Sequence, residues 1–296
     1  MASFLTELGK WFAEKWFALL VLPGLVFVVV ASGAVVLGQR RWADVGRIPA
    51  DVHRIHAAAG QHDATTVVLL SCGVLSGSVA AGLLAQGLGH AVARLWLGEW
   101  WPASLARQLI ARRRRRWSNA QRRYEDALRA RARQRDDPEL ETAQLNAARN
   151  RISLARPVRP TWIGDRIAAV DRRVFENYDL DLSSAWPRLW LIVPQTTRDE
   201  LGSAREGFDS AARLAGWSVL YLVLACWWWP AALIALVGGT AALIRGRAGI
   251  DAFAQLVESA VDVHGRDLAE ALGIPCPGQL EPAVGLQITR ALRKRT

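Results

Sequence analysis

Three long apolar runs constrain this chain more than any other feature: Trp16 to Leu37, Thr65 to Leu97 and Leu214 to Ile244. At about 1.5 Å per helical residue, roughly 20 apolar residues cross the roughly 30 Å hydrocarbon core of a bilayer. The first two runs are long enough to do so. In lipid the backbone must satisfy its own hydrogen bonds, which leaves helices as the economical solution for isolated segments. An all-α, polytopic membrane protein is therefore expected. The third run holds Pro230 behind Trp227, Trp228 and Trp229, and then Gly238 and Gly239. It reads either as one kinked helix or as a hairpin of two.

Charge bears on that choice. The net charge is +10, carried mainly by arginine, and residues 98–213 alone hold 23 Arg. Basic segments flanking membrane helices stay in the cytoplasm, so two crossings before this region place the N-terminus inside as well. A hairpin over 214–247 would keep the basic tail Arg293-Lys294-Arg295 inside, whereas a single crossing would export it. Four transmembrane helices in a bacterial inner membrane, with N- and C-termini cytoplasmic, are the expectation. Each hairpin arm would have only about 15 residues, or about 22 Å, which is short for a bilayer. A cleaved signal peptide is a poorer account of the first run, which exceeds the usual apolar stretch of about 7 to 15 residues and follows Glu7 and Glu14. Tryptophans such as Trp16, Trp42, Trp100 and Trp101 near the run edges suit interfacial belts.

The expected organisation is an interfacial amphipathic helix over 1–15, transmembrane helices 1 and 2 within 16–97 around an outer loop 38–64, a basic helical cytoplasmic region 98–213, the hairpin 214–247 and a cytoplasmic amphipathic tail 248–296. Within the basic region, Ser104 to Arg135 has neither proline nor glycine and predicts a long helix. Asp136, Asp137 and Pro138 predict the start of a second, reaching about Ala155. Ile110, Trp117 and Tyr124 recur every seven residues, as do Leu140, Ala147 and Leu154, so the two helices should pair along a narrow seam. Residues 156–160 hold two prolines and read as an extended linker. Thr197 and Glu200 match a capping box opening a helix that continues to Trp229. Ile250, Phe253, Val257, Val261, Leu268 and Leu272 form a further helical stripe, stopped by Gly273 and Pro275.

The second apolar run carries two rows at helical spacing. Gly73, Gly77, Ala81, Ala85 and Gly89 let another helix approach closely, within the protomer or across an oligomer. Beside them Gln86, His90 and Arg94 continue a row of Ser78 and Gly82, and a polar path is the sharper reading of that row. No Asp or Glu occurs within the apolar cores, so a cation-coupled carrier finds no support, and conduction would need an oligomer. Arg112, Arg113, Arg114, Arg115 and Arg116 cover every face of a helix, so something acidic is expected beside them. Anionic lipid is the first candidate. The acidic stripe Asp251, Glu258, Asp262, Asp267 and Glu270 is the second. Nucleic acid is set aside, because charge alone is nonspecific and no recognition module accompanies it.

His53, His56 and His62 lie close together near Asp51 and Asp63, but an interfacial helix with Ile48, Val52 and Ile55 on its apolar side accounts for them equally. No metal site, cofactor site or catalytic residue is assigned, since no phosphate loop, nucleophile elbow or zinc motif occurs. Cys72, Cys226 and Cys276 are too dispersed for a zinc or redox pair.

The stretch Tyr178-Asp-Leu-Asp-Leu-Ser-Ser-Ala-Trp-Pro-Arg-Leu-Trp190, followed by Asp262-Val-His-Gly-Arg-Asp-Leu268 and Leu272-Gly-Ile-Pro275, resembles a pattern in uncharacterised bacterial multi-pass inner-membrane proteins. The resemblance spans about residues 175–275. It implies a similar layout and no particular activity, and Gly265 stands where a larger residue is expected. Physically the stretch reads as a short helix capped by Asp181 or Ser183, with Pro187 in its first turn, and Tyr178, Asp179 and Arg188 beside it are a candidate pocket. Together these features predict a noncatalytic, oligomeric membrane anchor, sensor or membrane-perturbing effector. Its cytoplasmic helices would meet anionic lipid or a protein partner. An oligomeric channel or small transporter lined by transmembrane helix 2 is the alternative.

Overall fold

The computed structural model describes residues 21–39, 64–133 and 139–293. The interfacial helix expected over 1–15, most of the outer loop with its three histidines, the cap at Asp136 to Pro138 and the end of the tail lie outside the described residues. Among those described the chain is all-α. In order the helices are α1 (Leu22–Leu37), α2 (Ala64–Leu97), α3 (Ala103–Arg133), α4 (Glu139–Ile152), α5 (Trp162–Tyr178), α6 (Leu182–Ile192), α7 (Gln195–Leu224), α8 (Pro230–Ala271) and α9 (Pro282–Leu292). Two of them, α2 over Val67–Leu97 and α8, are long and apolar enough to cross a membrane, and α1 is a shorter apolar helix.

The chain divides into two compact units, Met1–Val92 with Ala211–Leu243 and Ala93–Ser210 with Ile244–Thr296. The first is built from α1, most of α2, the end of α7 and the start of α8. Its third apolar run is two helices. After Leu224 the Trp227 and Trp228 amides both donate to the Leu224 carbonyl, at 3.0 and 3.1 Å, and Pro230, which has no amide hydrogen to lose, opens α8. The arms pair antiparallel, with Leu224 and Ala231 in one cluster and Ser218 beside Gly238. The second arm is the start of a longer helix, since α8 continues without a break for 42 residues, but its apolar stretch still ends at Ile244, before Arg245 and Arg247. Gln39 holds the bend: its Nε2 donates to the Ala225 and Cys226 carbonyls at 3.0 and 2.9 Å, and its Oε1 accepts from the Trp229 amide at 3.2 Å. Backbone groups that helix ends leave unpaired are satisfied this way.

Glycine sets the spacing between helices in this unit. A Cβ on Gly24 would run into the Ser78 carbonyl, and one on Gly216 into the Ala85 carbonyl. Phe27 then packs edge-on to Tyr221, ring centroids 5.3 Å apart.

In the second unit α3 and α4 form the antiparallel hairpin that the heptad spacing predicts. Trp117 Nε1 donates to the Ser153 carbonyl at 3.0 Å, and the Arg149 guanidinium lies over the Tyr124 ring and donates to Gln121. α4 ends at Ile152, three residues short of Ala155, because the chain must turn into the proline linker. The core joins α5, α6, α8 and α9 through Val174, Leu180, Leu189, Val261, Leu268 and Ile288, all fully buried.

Three local expectations need correction. α6 begins at Leu182, so Pro187 is its sixth residue rather than part of its first turn; the carbonyl it leaves without a partner belongs to exposed Ser183, where water can take it. The capping box at Thr197 and Glu200 does not start α7. Pro194 holds Val193 in an extended conformation (ψ 133°), which ends α6, and α7 begins directly behind it at Gln195. Gly265 is small for a reason: an added Cβ would lie 2.7 Å from Leu280 Cδ2, and Leu280 is buried there.

Candidate binding cleft and basic helix

Between α5, α6 and α8 the second unit opens a cleft of about 470 Å³. Its floor is apolar: Ile167 and Val170 from α5, Leu182 and Trp186 from α6, Phe253 and Val257 from α8. Leu97, Glu99, Arg159 and Asp171 complete the lining. Each wall has a local cause. Thr161 caps α5, accepting from the Gly164 amide at 3.0 Å while its hydroxyl donates to the Trp96 carbonyl, so α5 starts against the end of α2. α8 is tied to α5 by Arg166–Asp251 and by Arg173–Glu258 at 2.9 Å. Burial first, and the charge of Asp181 second, raise the Asp171 carboxyl above its ordinary pKa.

Tyr178, Asp179 and Arg188, the candidate pocket of the sequence, do not line this cleft. The Tyr178 hydroxyl donates to Asp262 Oδ1 at 2.8 Å, and burial, followed by that carboxylate, raises its pKa. Asp179 takes the left-handed conformation (φ 49°) that closes α5, its amide donating to Phe175. Arg188 donates back to the Ser184 carbonyl at 3.1 Å. From this stretch it is Leu182, Ser183, Trp186 and Pro187 that line the cleft. Asp181 occupies the N-cap position of α6, where it accepts from the hydroxyls of Ser183 (2.6 Å) and Ser184 (2.9 Å) and from Arg293 of the terminal segment (2.9 Å). The Ser183 hydroxyl foremost, with help from Arg293 and Ser184, outweighs burial and holds its pKa at about 2.

The arginine run divides by helical face. Arg113 turns inward and meets Asp165 Oδ2 at 2.6 Å and the Ile152 carbonyl at 3.0 Å, and Arg114 donates to the Pro157 carbonyl at 2.8 Å. Asp165 is buried and also accepts from the Val158 and Arg159 amides, at 2.8 and 2.7 Å. Arg112, Arg115 and Arg116 remain exposed beside Gln108 and Asn119. The acidic stripe of α8 does not serve the hairpin: Asp251 and Glu258 pair with α5, Asp262 with Tyr178, and Asp267 and Glu270 with His264 and Arg266 on α8 itself. Asp165 and Arg166 were not singled out from sequence. Thr161 followed by Asp165 is a legible helix start, but the use made of the carboxylate depends on where the linker returns.

In the first unit the small row meets neighbours in the same chain. Gly77 faces Val28, Ala81 and Ala85 are buried, and Gly89 lies against the Ala212 and Arg213 backbone, whereas Gly73 has open space beside it. Of the polar row, Ser78 is buried and donates to its own Val74 carbonyl. Gln86 is half-buried, and His90 is exposed with Nδ1 2.8 Å from the Gln86 carbonyl. Arg94, in the second unit, stacks 5.0 Å over Trp100.

Comparison with family models, curated proteins and solved structures returns no match. Among the described residues no group of His, Cys, Asp or Glu is arranged to hold a metal ion.

Proposed function

We propose that this chain is a noncatalytic, oligomeric protein of a bacterial inner membrane, whose first unit is embedded in lipid and whose second unit is a cytoplasmic binding module. The observation that carries this reading is the surface of the first unit. Val67 to Leu70, Leu83, Leu84, Leu236 and Val237 are each more than half exposed, as are Leu22 and Val35 on α1. Water-facing surfaces rarely present an apolar patch of this extent. The described part of this unit carries one formal charge, Arg213. Alkaline carbonate extraction of membranes tests the assignment: the chain should stay with the pellet, and release into the supernatant would overturn it.

With four crossings both termini lie inside, and the exposed face of α3 with Arg112, Arg115 and Arg116 meets anionic headgroups, a partner chemistry for which each nearby cation contributes about 1 kcal/mol. In nanodiscs of mixed lipid, the full chain should enrich anionic lipid in a salt-sensitive way. Changing these three arginines to glutamate should abolish the enrichment; unchanged enrichment would remove lipid from the role.

An oligomeric channel lined by α2 is the competing reading, and the exposed imidazole of His90 beside half-buried Gln86 favours it. In proteoliposomes it predicts solute flux that changes when either residue becomes leucine. No flux across a broad solute panel would eliminate it.

A further inference from the structure

The α5/α6/α8 cleft combines three properties that together select a ligand. It is roomy, at about 470 Å³, within the range of roughly 300 to 1,000 Å³ usual for small-molecule sites. Its floor is apolar and aromatic, with Trp186 and Phe253. Its charged groups are unspent: among the described residues the exposed side chains of Glu99, Asp171 and Arg159 make no hydrogen bond or ion pair, whereas Asp165 pairs with Arg113, Asp181 with Arg293 and Asp251 with Arg166.

We infer that this cleft binds a small amphiphile with an apolar body and a protonated amine. The apolar body lies on Ile167, Val170 and Val257, and the ammonium sits between Glu99 and Asp171 within reach of the Trp186 ring. An anionic head would meet two like charges and a single guanidinium, whereas an ammonium gains two carboxylates and an aromatic face. Arg159 leaves the rim with a net charge of −1, so the preference for a cation survives it. The position of Asp171 agrees with this: burial and Asp181 make its negative charge costly in the free protein, and a bound cation would relieve that cost. The inference does not depend on the membrane assignment, because every lining residue belongs to the second unit.

Saturation-transfer NMR on the full chain in nanodiscs of neutral lipid provides the test, with 4-phenylbutylamine as probe and 4-phenylbutanol and 4-phenylbutyrate as neutral and anionic controls. The amine should bind saturably and about tenfold more tightly than the alcohol, with the acid weakest. The doubly substituted Glu99→Gln, Asp171→Asn chain, checked for an unchanged melting temperature, should bind amine and alcohol alike. If it melts lower, Glu99→Gln alone, at an exposed position without partners, carries the same comparison. Equal binding of amine and alcohol to the unaltered chain would reduce the cleft to an unselective greasy groove and overturn the inference. So would a lack of saturable binding, or an amine preference that survives the substitutions.

Discussion

The two units are held together by different means. In the first, described residues carry a single formal charge and no ion pair, large apolar side chains face outward, and cohesion comes from backbones in close approach, Gly24 on Ser78 and Gly216 on Ala85, with Gln39 satisfying the bend between α7 and α8. In the second, Leu180, Leu189, Phe208 and Ile288 are fully buried, and charged pairs join the helices: Arg113–Asp165, Arg166–Asp251, Arg173–Glu258 and Arg293–Asp181. In lipid, where the proposed function places the first unit, helices lack a hydrophobic drive and must gain from tight packing and hydrogen bonds. In water, burial supplies most of the stabilisation and the ion pairs determine which helix meets which. The contrast states what each unit should tolerate.

The largest effect is expected where the second unit depends on a buried charge. Asp165→Ala takes the carboxylate from the Arg113 guanidinium, which keeps only the Ile152 carbonyl, and leaves two linker amides without their acceptor; it should destabilise that unit by about 3 to 5 kcal/mol, and denaturant melts of the full chain in detergent would measure it. A loss below about 1 kcal/mol would mean that the linker has another anchor. Next comes Gly216→Leu, which forces α7 away from the Ala85 carbonyl and should cost about 1 to 3 kcal/mol. The same change at Gly73, where space is open, should cost almost nothing, so equal losses at both positions would end the close-approach account of the first unit.

Gln39→Ala should be milder, about 1 kcal/mol, and should show first as faster hydrogen exchange at Trp229, whose amide loses its acceptor. The smallest effect is a pH response confined to the second unit. Asp181 has its pKa lowered from 3.8 to about 2 in the folded chain, so its stabilising contribution is complete above the unfolded value and is lost as pH falls towards 2. Melting temperatures of the unaltered chain and of Asp181→Asn should therefore differ at pH 6 and converge near pH 2. A gap that stays constant would mean that the carboxylate's charge is not what holds the Arg293 segment.

Much of this plan is legible in the residues because the signals are local. A run such as Val67 to Leu97 can only be an apolar helix, and Trp117 and Tyr124, seven apart, mark the face that α4 must cover; Pro230 leaves a kinked helix and a hairpin both open until the structure shows it opening α8. Arg112 to Arg116 are the opposite case. Five consecutive arginines point in every direction, and nothing along the chain tells Arg113 from Arg112. The same holds for Gly265, whose smallness makes sense only once Leu280 is seen packed over it, and for α9, where Gly285 lies against the Tyr178 carbonyl from more than 100 residues away.

What the sequence determined alone is therefore the class of element and its apolar or charged composition, because period, length and proline act within a few residues of themselves. What only the tertiary structure decided is the partner of each charge: that Arg113 serves Asp165, that the acidic face of α8 serves α5 rather than the arginine run, and that Glu99 and Asp171 are left with no partner beside an apolar cleft. Electrostatic pairing depends on distance in space, and helices of similar charge pattern offer many near-equivalent pairings until packing of the apolar core chooses one.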